Sequence, residues 1–303
     1  MNASIQALYS LDSFRDLITS DRRLASGESK ILTNELKDLF IEMRDNSKRR
    51  SASSISSPIS PSNFKNTFAR YHSKFFGLGQ QDAQEFLRYL INGIHEESNQ
   101  ATKRSRRKSP IRQGSSATSC HGPKNSNEAW SQYRSIVDDS PFVDILVGQL
   151  CSTITCSQCK NKSSCWDPFW DLSLPLTIGQ FGRSRYSECS LLDLLNEFTA
   201  KETLDSDERP VCESCKKATK STKQISLARL PQVLILHLKK FSNDGYKLSS
   251  PDVKIETTLR FKDSTVTYHL KACISHHGHS SNSGHYTSHC EYANRWFHFD
   301  DER

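Results

Sequence analysis

Four of the ten cysteines fall in two pairs of identical spacing, Cys156-Ser-Gln-Cys159 and Cys212-Glu-Ser-Cys215. Two intervening residues let one tight turn aim both thiolates at a single ion, and two such turns facing each other complete a tetrahedral sulfur site. That chemistry is structural zinc binding; free or redox-active thiols are the competing reading. Each pair is followed by lysine, Lys160 and then Lys216 and Lys217, as expected of exposed hairpin tips. Cys120, Cys151, Cys165, Cys189, Cys273 and Cys290 lack this spacing and read as ordinary interior or surface thiols.

The second group of reactive residues lies in GHSSNSGHYTSHCEYANRWFHFDD, residues 278–301. His285 follows a Gly/Ser-rich loop and opens a strand, while Asp300 and Asp301 end the next one. A hairpin of this length brings a carboxylate against an imidazole, the orienting pair of a nucleophilic hydrolase. The chain has eleven histidines, so a chance pairing is the bland alternative, and a metal cluster of His276, His277, His279 and His289 is a rival. Asp82 and Glu85 lie one helical turn apart on a common face. On their own they read as an acidic first turn favoured by the helix dipole.

Elements able to position these residues are legible in the patterning. Residues 1–19 are amphipathic, with Ile5, Leu8, Leu11, Phe14 and Leu17 at three-residue steps. Residues 32–43 look helical on the same grounds. From Gln80, Phe86, Leu87, Leu90, Ile91 and Ile94 share one face of a further helix. Beyond residue 144 the texture changes to strands: VDILVGQL, TITCSQC and SSCWDPFWDLSLPL are β-branched and aromatic. One more helix is expected over 190–199, with Ser190 as N-cap and Asp193 completing a loose capping box. Short strands then follow in QISLARL, QVLILHLKKF, TYHLKACIS, HYTSHCEY and RWFHFDD. Helices first and then an antiparallel-looking sheet predict an α+β fold.

Composition narrows the function classes. Lys+Arg number 41 and Asp+Glu 34, a formal charge of +7. Residues 101–125 carry seven cations and no acid, so this one stretch holds the whole excess and the rest is neutral. It reads as a disordered basic insert; KRSRRK (Lys103 to Lys108) is an import or nucleic-acid patch at most, and a solvated loop by default. A nucleic-acid-binding domain is therefore not indicated. Residues 46–63, with Ser57-Pro58 and Ser60-Pro61, read as a second loose segment. No window approaches the ~18 consecutive apolar residues of a membrane span, and MNASIQALYSL has no cationic lead or cleavage site. The expectation is a cytoplasmic or nuclear monomer without a disulfide framework.

Five stretches resemble the ubiquitin-specific proteases, the papain-like deubiquitinating enzymes: MNASIQAL, QQDAQEFL, FWDLSLPL, LPQVLILHLKKFSNDG, and SGHYTSHC followed by WFHFDD. The motifs occur in the family's order almost from end to end, and the two CxxC pairs fall where the family carries its zinc knuckles. The resemblance implies a thumb–palm–fingers fold with zinc-tipped fingers: a helical thumb over 1–143, fingers over 144–225 and a palm sheet over 226–303. It implies ubiquitin and ubiquitinated proteins as partners, zinc as a structural cofactor, and hydrolysis after ubiquitin's terminal glycine. His285 then matches the general base and Asp300 the residue orienting it, with Asp301 adjacent and, on an extended strand, pointing away. Asp82 and Glu85 match the carboxylates that meet the arginines of ubiquitin's tail, and Gly284 and Tyr286 also line the tail. SGHY stands where the family usually has GGHY.

The family's nucleophile box ends in N-T-C, an aromatic, then M-N. Aligned on Met1-Asn2, the catalytic cysteine falls two positions ahead of Met1, together with oxyanion-hole donors. The chain also stops before the last palm strands. The expectation is thus a fragment of an isopeptidase, inactive as it stands. The alternatives are a catalytically inactive ubiquitin-binding protein and a zinc-stabilised nucleic-acid-binding module.

Overall fold

The computed structural model describes residues 1–24, 30–52, 58–77, 79–101, 123–176, 189–242, 244–248, 252–261, 264–280 and 283–301. Most of the basic insert, residues 102–122 with Cys120, and residues 53–57 of the second loose segment lie outside them.

The first third is helical. The amphipathic run 1–19 is two helices, α1 (Asn2–Ser10) and α2 (Asp12–Ser20), divided at Leu11, whose φ −83° and ψ 105° are extended. The break lets Ile5 and Leu8 on one helix and Phe14, Leu17 and Ile18 on the other reach the same core. Helix α3 (Ile31–Ala52) runs well past the expected 32–43, and α4 (Ser62–Tyr71) begins before residue 63, so the second loose segment is shorter than 46–63. Helix α5 (Ala83–Ser98) starts three residues later than Gln80, because Asp82 is extended and its Oδ1 accepts the Glu85 N–H at 2.9 Å as an N-cap.

Two further helices among the described residues are α6 (Ser126–Ile136) and α7 (Pro141–Leu146). VDILVGQL, expected as strand, divides here: Pro141 in the first turn starts a helix through Leu146, and extended structure begins only at Gly148. Glu97 on α5 ties three helices together. Its carboxylate accepts the N–H groups of Leu32 (2.8 Å) and Thr33 (2.9 Å) at the start of α3, and the hydroxyl of Tyr71 at the end of α4 (2.9 Å). Anionic charge at a helix start satisfies donors that lack an intrahelical partner.

Phe14, Phe40, Phe64, Phe68, Phe86 and Phe142 form the centre of this core, each essentially without exposed surface. Phe68 meets Phe86 edge to face at 4.8 Å. Burying one such ring contributes about 1.5–3 kcal/mol, and this core holds α1 and α5 rigid.

The strands, in chain order, are β1 (Gly148–Cys156), β2 (Lys162–Phe169), β3 (Leu172–Pro175), β4 (Cys189–Ser190), β5 (Glu202–Leu204), β6 (Val211–Cys212), β7 (Lys217–Ala218), β8 (Ser221–Arg229), β9 (Leu236–Lys239), β10 (Val253–Lys254), β11 (Thr258–Arg260), β12 (Thr267–His269), β13 (Ala272–Ser280), β14 (Ser283–Tyr292) and β15 (Arg295–Phe299). A four-stranded antiparallel sheet has the order β2-β1-β8-β5, and a three-stranded antiparallel sheet the order β13-β14-β15. The expectation of antiparallel pairing alone is corrected: β3 pairs with β9, and β4 with β10, in parallel. Parallel pairing needs a long crossover, and between β3 and β9 the chain makes the whole excursion through β8. That excursion includes α8 (Leu191–Phe198), which has the expected capping box: Ser190 Oγ accepts the Asp193 N–H at 3.0 Å, and Asp193 accepts the Ser190 N–H at 3.1 Å. Leu191, Leu194 and Leu195 pack it against Leu172 and Leu174 of β3.

Helix α1 lies between α5 and the three-stranded sheet. Ser4 Oγ donates to the Ala83 carbonyl at 3.2 Å, and Tyr292 Oη donates to the Gln6 carbonyl at 3.1 Å. The two ends of the chain and the start of α5 therefore meet in one place. Among the described residues, no helix is long and apolar enough to cross a membrane.

Candidate active site

At that meeting point His285, third residue of β14, turns its ring toward the end of β15. Its Nε2 lies 2.5 Å from Asp300 Oδ1, and Nδ1 lies 3.8 Å from Asp301 Oδ2. Strand β15 ends at Phe299, and Asp301 has φ +49°. This left-handed residue reverses the expectation that Asp301 points away: alternation of side chains holds only on extended backbone, and here both carboxylates flank one imidazole. Asp301 Oδ1 also accepts from Asn2 Nδ2 at 2.9 Å, so the N-terminus of α1 adjoins the same cluster.

Asp82 and Glu85 are not two residues of one helical face. Asp82 is the N-cap of α5, and its second oxygen accepts the Tyr286 hydroxyl at 2.8 Å. Burial first, then the hydrogen bond to Asp82 and the Asp82 charge, push the Tyr286 phenol far above its ordinary pKa, keeping it a donor. Glu85, in the first turn of the helix, pairs with Lys74 at 2.5 Å. Gly284 donates its N–H to Gln80 Oε1 at 2.5 Å, a contact the sequence patterning did not single out. The need for glycine at position 284 is internal to the hairpin: a Cβ there would lie 2.3 Å from His276 Nε2 and 2.5 Å from the His277 carbonyl oxygen.

Beside these residues a cleft of about 370 Å³ opens between α5 and the β2–β3 connection. Glu85, Gln84 and Arg88 line one wall, and Trp170, Asp171 and Ile235 the other. Arg88 pairs with Asp171 at 3.1 Å, and Gln84 Nε2 donates to the same carboxylate at 3.2 Å. Asp171 lies inside the FWDLSLPL motif, which was the available signal for it.

A buried polar network braces this wall. His95 Nδ1 lies 2.7 Å from Ser140 Oγ and Nε2 2.9 Å from Asp138 Oδ1, while Tyr133 donates to Asp138 at 2.8 Å. Its ring packs on Trp170 at 5.0 Å. Nothing in the spacing of these residues announced the network, because they come from three separate elements. With His95 and Ser140 almost wholly buried, its role is to fix α5 against the 137–141 turn.

The two CxxC pairs converge, one at the end of β1 and its turn, the other in the β6–β7 hairpin. Cys159 and Cys212 sulfurs are 3.6 Å apart, Cys156 and Cys215 sulfurs 4.0 Å, and all four lie within 4.8 Å of one another. Four thiolates at ~2.3 Å around a tetrahedral ion stand ~3.8 Å apart, whereas bonded sulfurs approach to ~2.05 Å. The set fits a tetrahedral metal ion and not disulfides. Lys160 (φ 63°) and Lys216 (φ 56°) turn left-handed directly after the second cysteine of each pair, closing both knuckles in the same way. Hydrogen bonding from Thr219 draws the Cys156 thiol down to about 6, while its bond with Cys159 pushes Cys215 up to about 12.

The four-histidine rival does not form. Among the described residues the groups dense enough in donors for a metal ion are the four cysteines and His95 with Glu96 and Asp138. His277 instead bonds Thr287 at 2.9 Å, and His289 stacks on His298. Of the remaining described cysteines, Cys189 and Cys290 are buried and Cys165 is exposed.

The family model described as Ubiquitin carboxyl-terminal hydrolase matches residues 1–303. The chain is 38% identical over 264 residues to ubiquitin carboxyl-terminal hydrolase 2 of Gallus gallus, covering 83% of this chain and 70% of that relative. It is 35% identical over 260 residues to the Homo sapiens protein of the same description, covering 82% and 41%, and 33% identical over 267 residues to ubiquitin carboxyl-terminal hydrolase 21 of Homo sapiens, covering 81% and 46%. In structure it is similar to a SAGA DUB module containing Ubp8, bound to monoubiquitin, with TM-score 0.72 and 24% identity over 100% of this chain and 61% of that one. The chain belongs to the ubiquitin-specific protease family, the ubiquitin carboxyl-terminal hydrolases. It has that family's α+β thumb–palm–fingers architecture, and it spans less than half the length of the human relatives it matches.

Proposed function

We propose that this chain is the catalytic domain of a cysteine isopeptidase that removes ubiquitin from proteins, acting with a nucleophilic cysteine two positions ahead of Met1. The observation carrying this reading is the His285–Asp300 contact with Asn2, at the N-terminus of α1, one residue away through Asp301. With the Nε2 proton donated to Asp300, Nδ1 is the atom that takes a thiol proton. A helix N-terminus at the nucleophile favours its thiolate. The thiolate attacks the carbonyl of ubiquitin's terminal glycine, His285 protonates the departing lysine amine, and water then releases the acyl-enzyme.

In this reading ubiquitin's tail runs along the cleft beside α5. Glu85 meets an arginine of the tail after exchanging its Lys74 partner, Asp82 does so after releasing Tyr286, and Gly284 and Tyr286 flank the terminal glycines. Cys156, Cys159, Cys212 and Cys215 hold one zinc ion, which supplies no chemistry to the reaction and keeps the fingertips folded.

The test uses a ubiquitin C-terminal fluorogenic probe. The 303 residues alone should bind ubiquitin without turning the probe over, since none of the ten cysteines lies at the start of α1. A chain extended upstream to include the cysteine should hydrolyse it, and His285→Ala in that chain should abolish turnover. Turnover by the 303 residues, or an extended chain indifferent to His285→Ala, would count against the assignment. Ubiquitin binding without hydrolysis in the extended chain would favour the pseudo-protease reading.

A further inference from the structure

Side chains on the β13-β14-β15 sheet alternate between two faces. Cys290 and Tyr292 of β14 face the α1 side, where Tyr292 bonds Gln6. His285, His289 and Glu291 occupy the other face, with Glu291 paired to Lys271 at 3.2 Å. On that face the register sets His289 directly opposite His298 of β15. Their rings lie nearly parallel, 20° between planes and 4.5 Å between centroids, and both are exposed to solvent. Among the described residues neither imidazole makes a hydrogen bond or ion pair with another side chain.

Neutral imidazole is the commonest protein ligand for transition metals. Two imidazoles on directly paired residues of adjacent strands can each turn one nitrogen toward a shared ion by rotation about their side-chain bonds, with no change of backbone. We infer that His289 and His298 form a surface chelate for an imidazole-preferring divalent transition-metal ion, Cu²⁺ more tightly than Ni²⁺ or Zn²⁺, with water filling the remaining positions. Cys273 stands opposite His289 on β13 in the same row, but its sulfur does not converge with the two imidazoles into a three-donor set. The chelate therefore has two protein nitrogens.

The location gives the site a consequence. Along β14, His285 is four residues from His289 on the same face, ~13 Å away by strand rise. Along the other strand Asp300 follows His298 by two. An ion on the pair staples β14 to β15, the two strands whose ends bring His285 against Asp300. The site is separate from the four-cysteine cluster and does not depend on any reading of the chain's activity.

The experiment titrates Cu²⁺ into the zinc-replete 303-residue chain, with zinc measured before and after, and follows electron paramagnetic resonance alongside equilibrium binding. One Cu²⁺ should bind per chain with splitting from two imidazole nitrogens. His289→Gln and His298→Gln should each remove the two-nitrogen signature and weaken binding about tenfold or more, while Cys273→Ser leaves signal and affinity unchanged. Circular dichroism should show all three variants folded, since His289 and His298 are exposed and Cys273 is half-buried with an isosteric replacement. Binding that survives both glutamine variants, a sulfur-ligated signal lost in Cys273→Ser, or copper uptake only at the expense of zinc would each overturn the proposal.

Discussion

The Tyr286 hydroxyl donates to Asp82 at 2.8 Å across 204 positions of sequence. One bond thus joins the strand carrying His285 to the N-cap of α5, and it uses the Asp82 oxygen that the cap does not. Tyr286→Phe keeps the ring and deletes the donor. The loss should be about 1–2 kcal/mol in urea unfolding, at the lower part of the range for bonds to charged acceptors because the pair is only partly buried. An unchanged unfolding midpoint would show that the bond does not hold the two elements together.

Gly284 is confined by its neighbours. Gly284→Ala places a methyl group against His276 Nε2 and the His277 carbonyl oxygen, and the carbonyl, being backbone, moves only if the hairpin shifts. Destabilisation of about 1–3 kcal/mol is expected, accompanied by loss of probe turnover in the extended chain. Ser283→Gly, restoring the family's usual doublet, should change neither by comparison.

Asp300 and Asp301 both reach His285, at 2.5 and 3.8 Å. In the proposed mechanism the shorter contact fixes the imidazole tautomer, so Asp300→Ala in the extended chain should lower kcat/KM by about 10²- to 10⁴-fold. Asp301 lies beyond hydrogen-bond distance and is largely exposed. Asp301→Ala should cost less than about tenfold. Steady-state kinetics of the two variants side by side decide the order, and equal losses would assign Asp301 a larger part.

For the fingers, Cys212→Ser removes one of four converging sulfurs. The variant should lose bound zinc by elemental analysis and unfold the β6–β7 hairpin, seen as fast amide exchange there, because metal-binding energy is folding energy in such sites. Exchange within α3–α5 should be unaltered. Full zinc occupancy in the variant would contradict a four-sulfur site.

Burial raises the Asp138 carboxyl, but hydrogen bonds from His95, Tyr133 and Asn99 outweigh it and hold its pKa below the ordinary value. A depressed carboxyl contributes stability that is complete above its unfolded pKa and is lost as pH falls through the folded one. The native chain should therefore lose stability more steeply below about pH 4 than Asp138→Asn does, and the gap between them should narrow across that window. Parallel unfolding curves at each pH would refute the linkage.

Much of this architecture was written locally. Period-3.6 patterning marks α3 and α5, Ser190 and Asp193 declare a cap, and the two CxxC turns declare their own geometry, because caps and knuckles involve residues within a few positions of one another. Boundaries were less legible. Asp82 could be helix or cap on pattern alone, and Pro141 started a helix in a run whose apolar residues also suit a strand.

Distance in sequence set the limit of such reading. Hairpin length suggests His285 and Asp300 as partners, yet the return of Asp301 depends on a left-handed backbone at one residue. Nearness in sequence groups His289 with His276, His277 and His279, whereas strand register pairs it with His298. The Tyr286–Asp82, Gly284–Gln80 and Asn2–Asp301 contacts join segments separated by 200 positions or more. Residue types and short-range spacing carried the family and the kinds of chemistry available. Which groups face one another was left to the packing of α1 between α5 and the three-stranded sheet, since side-chain contacts between distant segments exist only once a common core has fixed their separation.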